Sequence, residues 1–158
     1  MKLVIVRHGD SESSHPEGDY KRSLTLKGKQ TVKIVALFLK KSIKPKTIIS
    51  SPFLRALQTA KIFAEVLEYK KPILESETLI PGNKSDETLD AIISSRAKEV
   101  LIVGHNPHLS ELTAKLVSDG SLRFDMRKAA AVCIDFPGNI DLGTGNLAWV
   151  IVPGLISP

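Results

Sequence analysis

Four side chains suited to phosphate chemistry stand where apolar, strand-like runs of the sequence end. The run Leu3–Val6 leads directly into Arg7 and His8, the run TIIS is soon followed by Arg55, and the run VLIVG leads into His105. The planar fork of arginine matches the paired oxygens of a phosphoryl group, and a neutral imidazole can act as a nucleophile. These residue types therefore predict a site that binds phosphate and can react with it.

The predicted position of these runs in a sheet would bring the four side chains together. In open α/β sheets, ligands bind beyond the carboxyl ends of the strands. The helices expected to start near Pro52 and Pro107 would point their free N–H groups at the same edge, and such groups favour an anion. Gly9 and Gly104 are expected either to be turn residues with positive φ or to let the backbone approach a ligand.

Short apolar, β-branched runs alternate with helical patterns along the chain. The runs are KLVIVR, TIISS, EVLIVGH, AAVCIDF and LAWVIV, and PILES is a candidate for one more short strand. This alternation predicts an α/β sandwich with a mostly parallel sheet. The turn-rich segment PGNIDLGTGN before the last run predicts an antiparallel hairpin at the end of the fold.

Four helices are predicted between these runs. The first has Thr25 as its N-cap and an apolar face at helical spacing, formed by Val32, Val35, Ala36 and Leu39. The second has Ser51 as its N-cap and Pro52 at its first position, with an apolar face formed by Leu54, Leu57, Ala60 and Ala64. SDETLDAIISSRA and NPHLSELTAKLVSDG follow the same pattern, the latter ending at Gly120. The long polar loop GDSESSHPEGDYKRS is typical of functional or mobile segments.

Composition excludes several classes of protein. The length of 158 residues predicts a single domain, residues 1–158. The net charge of +5 comes from dispersed lysines without interleaved aromatic residues, which argues against a nucleic-acid partner. No run of about 18 apolar residues is present to span a membrane, and no signal-peptide pattern precedes the first strand. The single cysteine, Cys133, lies in an apolar run and is expected to be a buried thiol, which favours a cytoplasmic protein.

Three segments together resemble the signature of the histidine phosphatase (phosphoglycerate mutase-like) superfamily. They are VRHGD, which contains the motif RHG, SPFLRALQTA and VGHNP. Their order and spacing are most similar to the short SixA-type phosphohistidine phosphatases, and KRSLTLKG is similar to an Arg-x-Leu-Thr-x-x-Gly stretch of that branch. The resemblance covers nearly the whole chain and implies a three-layer α/β/α sandwich around a mixed sheet.

The resemblance also implies a role for each candidate site residue. His8 would be the nucleophile and would be phosphorylated transiently, which divides one difficult displacement into two easier ones. Neighbouring arginines would keep it neutral, as attack requires. His105 would complete the catalytic set of His8, Arg7 and Arg55. The implied phosphate contacts are Arg7, Gly9, Arg22, Arg55 and His105. The resemblance implies no metal and no cofactor.

The sequence departs from larger members of the superfamily, which carry a carboxylate that protonates the leaving group. Asn106 follows the second histidine, and Glu75 and Glu77 lie in the other region where an acid is found. A phosphorylated imidazole leaves as neutral histidine and needs no such acid. The sequence therefore favours phosphoramidate substrates, or esters with good leaving groups, and the expected substrate is phosphohistidine in a protein.

Three other interpretations of the sequence compete with this one. The first is a general phosphatase for small phosphomonoesters, with Glu77 or another carboxylate as the acid. The second is a non-enzymatic phosphate- or phosphoprotein-binding module, which would gain nothing from a nucleophilic His8. The third is a metal hydrolase, which is disfavoured because His105 and His108 have no carboxylate ligand beside them.

Overall fold

A six-stranded sheet forms the centre of the computed structural model, which describes residues 1–156. Its strands are β1 (Lys2–Arg7), β2 (Thr47–Ser50), β3 (Leu74–Glu75), β4 (Glu99–Gly104), β5 (Ala131–Asp135) and β6 (Asn146–Ile151). The spatial order is β3-β2-β4-β1-β5-β6, with β3, β2, β4 and β1 parallel. β5 pairs antiparallel with both β1 and β6. The mostly parallel mixed sheet, the short strand in PILES and the antiparallel hairpin are thus confirmed.

Helices cover both faces of the sheet. They are α1 (Leu26–Leu39), α2 (Leu54–Val66), α3 (Ser85–Ser94), α4 (His108–Val117) and α5 (Pro153–Ile156). Single 3₁₀ turns occur at Asp19–Lys21 and Glu77–Leu79. Among residues 1–156, no helix is long and apolar enough to cross a membrane.

The alternation of side chains along β1 divides the core into two layers. Val4 and Val6 pack with residues of α1 and α2, whereas Leu3 and Ile5 pack with residues of α3 and α4. All four are fully buried, because successive side chains of a strand point to opposite faces of the sheet. The result is the three-layer α/β/α sandwich that the sequence predicted. Cys133 of β5 is buried within it, as expected, and burial raises the pKa of its thiol to about 11.

The first helix matches its prediction closely. The predicted apolar face of α1 is buried. Thr25 is its N-cap, and its hydroxyl oxygen accepts a hydrogen bond from the backbone N–H of Gly28 at 2.9 Å. The predicted end of the fourth helix is less accurate: α4 ends at Val117, and Gly120 lies beyond it with φ of 90°.

The second helix differs from its prediction. α2 begins at Leu54, its N-cap is Phe53, and the Ser51 hydroxyl is not its cap. Its buried face is rotated relative to the predicted one and consists of Arg55, Ala56, Thr59, Ala60, Phe63 and Val66. The pattern of apolar residues failed here because two polar side chains, Arg55 and Thr59, lie on the inward face and reach the end of β1.

Two glycines at strand ends serve packing rather than the expected positive φ. The backbones of Gly9 and Gly104 lie outside the positive-φ region. A Cβ on Gly9 would lie 2.7 Å from Val32 Cγ2, and one on Gly104 would lie 3.3 Å from Leu109 Cδ2. The missing side chains therefore let α1 and α4 approach the ends of β1 and β4.

Gly28, in the first turn of α1, shows the tightest such approach. A Cβ there would lie 2.0 Å from the backbone oxygen of Asp10. The same backbone oxygen accepts a hydrogen bond from the N–H of Thr25, and the Asp10 carboxylate accepts one from the Thr25 hydroxyl. Gly28 is the last residue of the segment RSLTLKG, so this segment fixes the chain that leaves His8.

We predict that Gly28→Ala destabilises the fold although alanine favours a helix by about 1 kcal/mol over glycine. The new methyl group must displace the Asp10 backbone, and such overpacking typically costs about 1–3 kcal/mol. Urea unfolding measures the change. Gly138→Ala is the matched control, since no heavy atom lies within 4 Å of its Cβ position. Equal stability of the two variants would contradict the packing argument.

Candidate active site

The register of three parallel strands brings the two histidines together. Arg7 of β1 lies opposite Gly104 of β4, and Ser50 of β2 lies opposite Val103 of β4. The residues that follow these strands consequently emerge at one edge of the sheet. The rings of His8 and His105 lie there with their centroids 4.9 Å apart. Arg55, from the first turn of α2, reaches the same place.

Two hydrogen bonds define the tautomer of His8. Its Nδ1 lies 2.7 Å from the backbone oxygen of Gly9. A carbonyl oxygen only accepts, so Nδ1 carries the proton. Nε2 is then unprotonated and accepts a hydrogen bond from Nε of Arg55 at 3.3 Å. The nitrogen beside the arginine is therefore the one whose lone pair carries no proton.

Burial and positive charge keep both histidines neutral. Burial lowers the pKa of His8 to about 4, with further lowering by Arg55, Arg7 and Lys128, while the bond to the Gly9 carbonyl opposes the shift. Burial likewise lowers the pKa of His105 to about 2, and His8 and Arg55 add to the effect. At neutral pH both rings are uncharged, and His8 has the protonation state that a nucleophile needs.

Ser51 orients the second histidine. Its hydroxyl lies 2.8 Å from Nε2 of His105 and accepts a hydrogen bond from the N–H of Phe53 at 3.3 Å. The ring of Phe53 also meets that of His105 edge to face, with centroids 5.1 Å apart. The prediction that Ser51 is a helix cap was therefore wrong. Nδ1 of His105 is buried and has no hydrogen-bond partner among the described residues.

Arg55 is held by a loop residue that sequence reasoning did not single out. Only 4% of Arg55 is exposed. Its Nη1 donates to the backbone oxygen of Asp19 at 2.7 Å, and its Nη2 donates to the Asp19 carboxylate at 2.8 Å. The other carboxylate oxygen of Asp19 accepts from Arg22 at 2.6 Å. Asp19 and Arg55 lie far apart in the chain, so no local pattern could have paired them.

Arg22 reaches the site through Asp19. It also bonds within its own loop, from Nη2 to the Ser11 hydroxyl at 3.2 Å and from Nε to the Glu12 backbone oxygen. Among the described contacts, none joins Arg22 directly to His8 or His105. The carboxylate of Asp19 thus lies between Arg22 and Arg55 and bonds to both.

A segment before β5 fixes Arg7. Nη1 of Arg7 donates to the backbone oxygen of Met126 at 2.7 Å, and the Asn106 amide donates to the same oxygen at 3.0 Å. The N–H of Ala129 is shared by the backbone oxygens of Arg7 and His8, at 3.1 Å each. Ala129 has a φ of 60°, an unfavourable value for a residue with a side chain. The backbone on either side of the Arg7–His8 bond is consequently restrained.

Gly9 connects the end of β1 to α2. Its N–H donates to the Thr59 hydroxyl at 3.1 Å, and that hydroxyl donates to the backbone oxygen of Arg55 at 2.8 Å. Gly9 therefore contributes its carbonyl to His8 and its N–H to Thr59. The phosphate contact expected of Gly9 stays a prediction.

The carboxylates near the site are not those that the sequence suggested. Glu75 and Glu77 are exposed, and no hydrogen bond or ion pair among the described residues joins their side chains to His8, Arg55 or His105. Asp125 is exposed and accepts a long bond of 3.4 Å from Asn106. Asp19 is the carboxylate in contact with Arg55.

The environment of Asp19 keeps it ionised. Burial alone would raise the pKa of the Asp19 carboxyl, but hydrogen bonds from Arg55 and Arg22 outweigh it and leave the pKa below its ordinary value. A carboxylate that is deprotonated at neutral pH has no proton to give to a leaving group. Asp19 is therefore poorly suited to be a general acid.

Comparison with known proteins agrees with this geometry. A model of the histidine phosphatase superfamily (branch 1) matches residues 3–80. Phosphohistidine phosphatase SixA of Escherichia coli (strain K12) is 28% identical over 158 residues, which cover 97% of this chain and 94% of SixA.

Two solved structures show the shared fold. The protein histidine phosphatase SixA complexed with tungstate superposes with a TM-score of 0.89 at 24% identity, covering 99% of this chain and 100% of that one. A mutant phosphoserine phosphatase of Entamoeba histolytica, in complex with phosphoserine, superposes with a TM-score of 0.69 at 19% identity, covering 94% and 95% of the two chains. The chain is thus similar to the histidine phosphatase superfamily over residues 3–80 and to SixA along nearly its whole length, which indicates a hydrolase, and the two solved structures show the shared fold.

Proposed function

We propose that this chain is a single-domain cytoplasmic phosphatase that removes the phosphoryl group from phosphohistidine in a protein through a phosphorylated His8. The observation that carries the proposal is the state of His8. Its ring is buried and neutral, Nδ1–H is fixed by the Gly9 carbonyl, and Nε2 faces the guanidinium of Arg55. A ring in this state is ready to attack an electrophile bound beside Arg55.

In the first step, Nε2 of His8 gives up its hydrogen bond from Nε of Arg55 and attacks phosphorus in line with the leaving group. A bond forms between His8 and phosphorus while the bond from phosphorus to the substrate nitrogen breaks. The substrate imidazole, protonated on its other nitrogen, departs as a neutral ring. Arg7 and Arg55 would contact the equatorial oxygens, where charge lies during transfer. His105 would donate a hydrogen bond to a phosphoryl oxygen, which would satisfy its buried ring nitrogen.

In the second step, water attacks the phosphorus of the phosphorylated enzyme. The bond from phosphorus to Nε2 breaks, inorganic phosphate forms, and His8 regains its free lone pair. The Gly9 carbonyl keeps its hydrogen bond to Nδ1–H in both steps. The same tautomer therefore serves attack and departure, and no ring flip is needed between them.

The surroundings of the leaving group favour phosphohistidine over alkyl phosphates. An alkoxide is a poor leaving group and needs a proton donor. Asp19 is ionised by its two arginines, and Asn106 occupies the position that carries an acid in larger relatives. The phosphoserine phosphatase with the same fold shows that this architecture alone does not choose the leaving group. The preference for phosphohistidine over alkyl phosphates is therefore assigned to the lack of a general acid among the described residues of the site.

We predict that His8 carries the phosphoryl group. Brief incubation with a phosphodonor should leave an acid-labile, base-stable phosphate on the protein, because phosphorus bonded to an imidazole nitrogen hydrolyses in acid. His8→Ala should abolish both the label and turnover. Normal turnover by a folded His8→Ala variant would show that another group is the nucleophile. The assay is run with excess chelator, which should leave activity unchanged.

We also predict that His8 keeps its neutral, Nδ1-protonated form from about pH 8 down to about pH 5, because burial and nearby cations disfavour the charged ring. Protonation should set in only as the pH falls toward about 4, the lowered pKa of His8. Nitrogen chemical shifts of the imidazole measure this directly, with His8→Asn used to assign the signal. A titration midpoint at the ordinary 6.5 would contradict the argument.

A further prediction concerns the leaving group. Without a general acid, phosphohistidine and aryl phosphates should be cleaved readily, while phosphoserine and sugar phosphates should be slower by about 10²–10⁴-fold, the usual contribution of general acid catalysis. Single-turnover rates across a series of leaving groups measure the dependence. Glu75→Gln, Glu77→Gln and Asp125→Asn should leave aryl phosphate turnover nearly unchanged.

The result against this prediction would be a flat dependence on the leaving group, together with a large loss in one of the three amide variants. The affected carboxylate would then be the acid. In that case the general phosphomonoesterase function replaces the one proposed here.

A further inference from the structure

The hydrogen bonds of Arg55 point to a role for Asp19 in which it is neither a general acid nor a nucleophile. A guanidinium has five N–H groups in a rigid plane. The Nε–H of Arg55 faces His8, and one N–H on each terminal nitrogen is bonded to Asp19. One N–H on each terminal nitrogen therefore remains for a ligand. A phosphoryl group can bind Arg55 without displacing Asp19.

Two bonds to one residue fix the guanidinium in a way that one bond cannot. Arginine has a flexible stem, and ordering its side chain costs conformational entropy. Asp19 contacts Arg55 with its backbone oxygen and its carboxylate, so it restrains both the position and the tilt of the plane. Arg55 is 5% exposed in its side chain, whereas Asp19 is 52% exposed. The pair thus connects a buried cation to the surface loop.

Asp19 also joins the two arginines that come from different elements. Its second carboxylate oxygen accepts from Arg22, at the end of the 3₁₀ turn, while Arg55 belongs to α2. Two guanidinium groups beside one phosphate pocket repel each other in the absence of an anion. An ionised carboxylate between them offsets that repulsion.

We propose that Asp19 is a positioning residue, which holds Arg55 with its Nε edge toward His8 and keeps Arg22 beside it before the phosphoryl group arrives. The inference rests on the proposed function, because it assigns the phosphoryl group to a position beside His8 where the remaining N–H groups of Arg55 can contact it. Prepositioned donors stabilise a transition state without reorganisation during the reaction. Asp19 contributes to the rate through Arg55, with no proton transfer of its own.

The first test compares kinetics with an aryl phosphate. Asp19→Ala should lower kcat/KM by about 10–100-fold, since small displacements of catalytic groups have effects of that size. Asp19→Asn keeps the shape and one acceptor oxygen, so its loss should be smaller. Glu17→Gln is the matched control, because Glu17 lies on the same exposed loop and its side chain makes no hydrogen bond or ion pair among the described residues. It should leave kcat/KM unchanged.

The second test asks whether Asp19 acts through Arg55. Arg55→Lys removes the fork but keeps the charge. If Asp19 positions the fork, Arg55→Lys should cost much less in the Asp19→Ala background than in the native chain, and the two losses should be clearly non-additive. A merely structural Asp19 would instead give additive losses and a lowered melting temperature. Additive losses would overturn the inference.

The third test separates this inference from the proposed function. Tungstate, the oxyanion bound in the SixA structure, is titrated by calorimetry, which needs no turnover. Asp19→Ala should bind tungstate about tenfold more weakly, and Glu17→Gln should bind it normally. Equal or tighter binding by both Asp19 variants would mean that the carboxylate competes with the anion, and would overturn the inference. Weaker binding without any phosphorylated His8 would support the positioning role while the proposed function fails.

Discussion

The hydrogen bond between Nδ1–H of His8 and the Gly9 carbonyl determines which ring nitrogen carries the proton and which has the unprotonated lone pair. A histidine free to rotate would present either nitrogen, and one in contact with water would be partly protonated near neutral pH. Here the ring is buried, the Gly9 N–H is bonded to Thr59, and the His8 backbone is bonded to β4 and to Ala129. Packing of α1 against Gly9 holds this turn in place. The fold thus specifies the tautomer of His8 through the backbone beside it.

Positive charge is concentrated at this edge of the sheet, and groups from several elements offset the resulting repulsion. Arg7 is bonded to the Met126 carbonyl, and Arg55 and Arg22 are bonded to Asp19. Each arginine therefore has a partner before any phosphoryl group binds, as buried charges require. The partners leave donors unused, including the buried Nε of Arg7, which has no partner among the described residues.

The sequence predicted the elements that supply reactive groups better than those that orient them. β1, β2 and β4 are short apolar runs rich in β-branched residues. Their ends could be located from this pattern, and with them the positions of His8 and His105. Ser51 was assigned to a helix cap because a serine before a proline usually has that role, yet it contacts His105, which follows β4. The buried face of α2 was misplaced because Arg55 and Thr59 point inward, a choice that tertiary contacts impose on the local pattern. Asp19 was missed because its partner is distant in the chain and its own segment is only a polar loop.

The difference between the residues that the sequence predicted and those that it missed follows from how the site is built. Parallel strands fix the spacing of His8 and His105 through backbone register, which any sequence with the right apolar pattern reproduces. The loop between β1 and α1 has no such register, and its conformation depends on specific side-chain bonds such as those of Asp19 with Arg55 and Arg22. Differences among members of one fold family are therefore expected in the loop rather than in the strands. In this chain the loop contributes an ionised carboxylate, which can orient cations but cannot protonate an alkoxide. Under the proposed function, the substrate must therefore have a leaving group that departs without a proton from the enzyme.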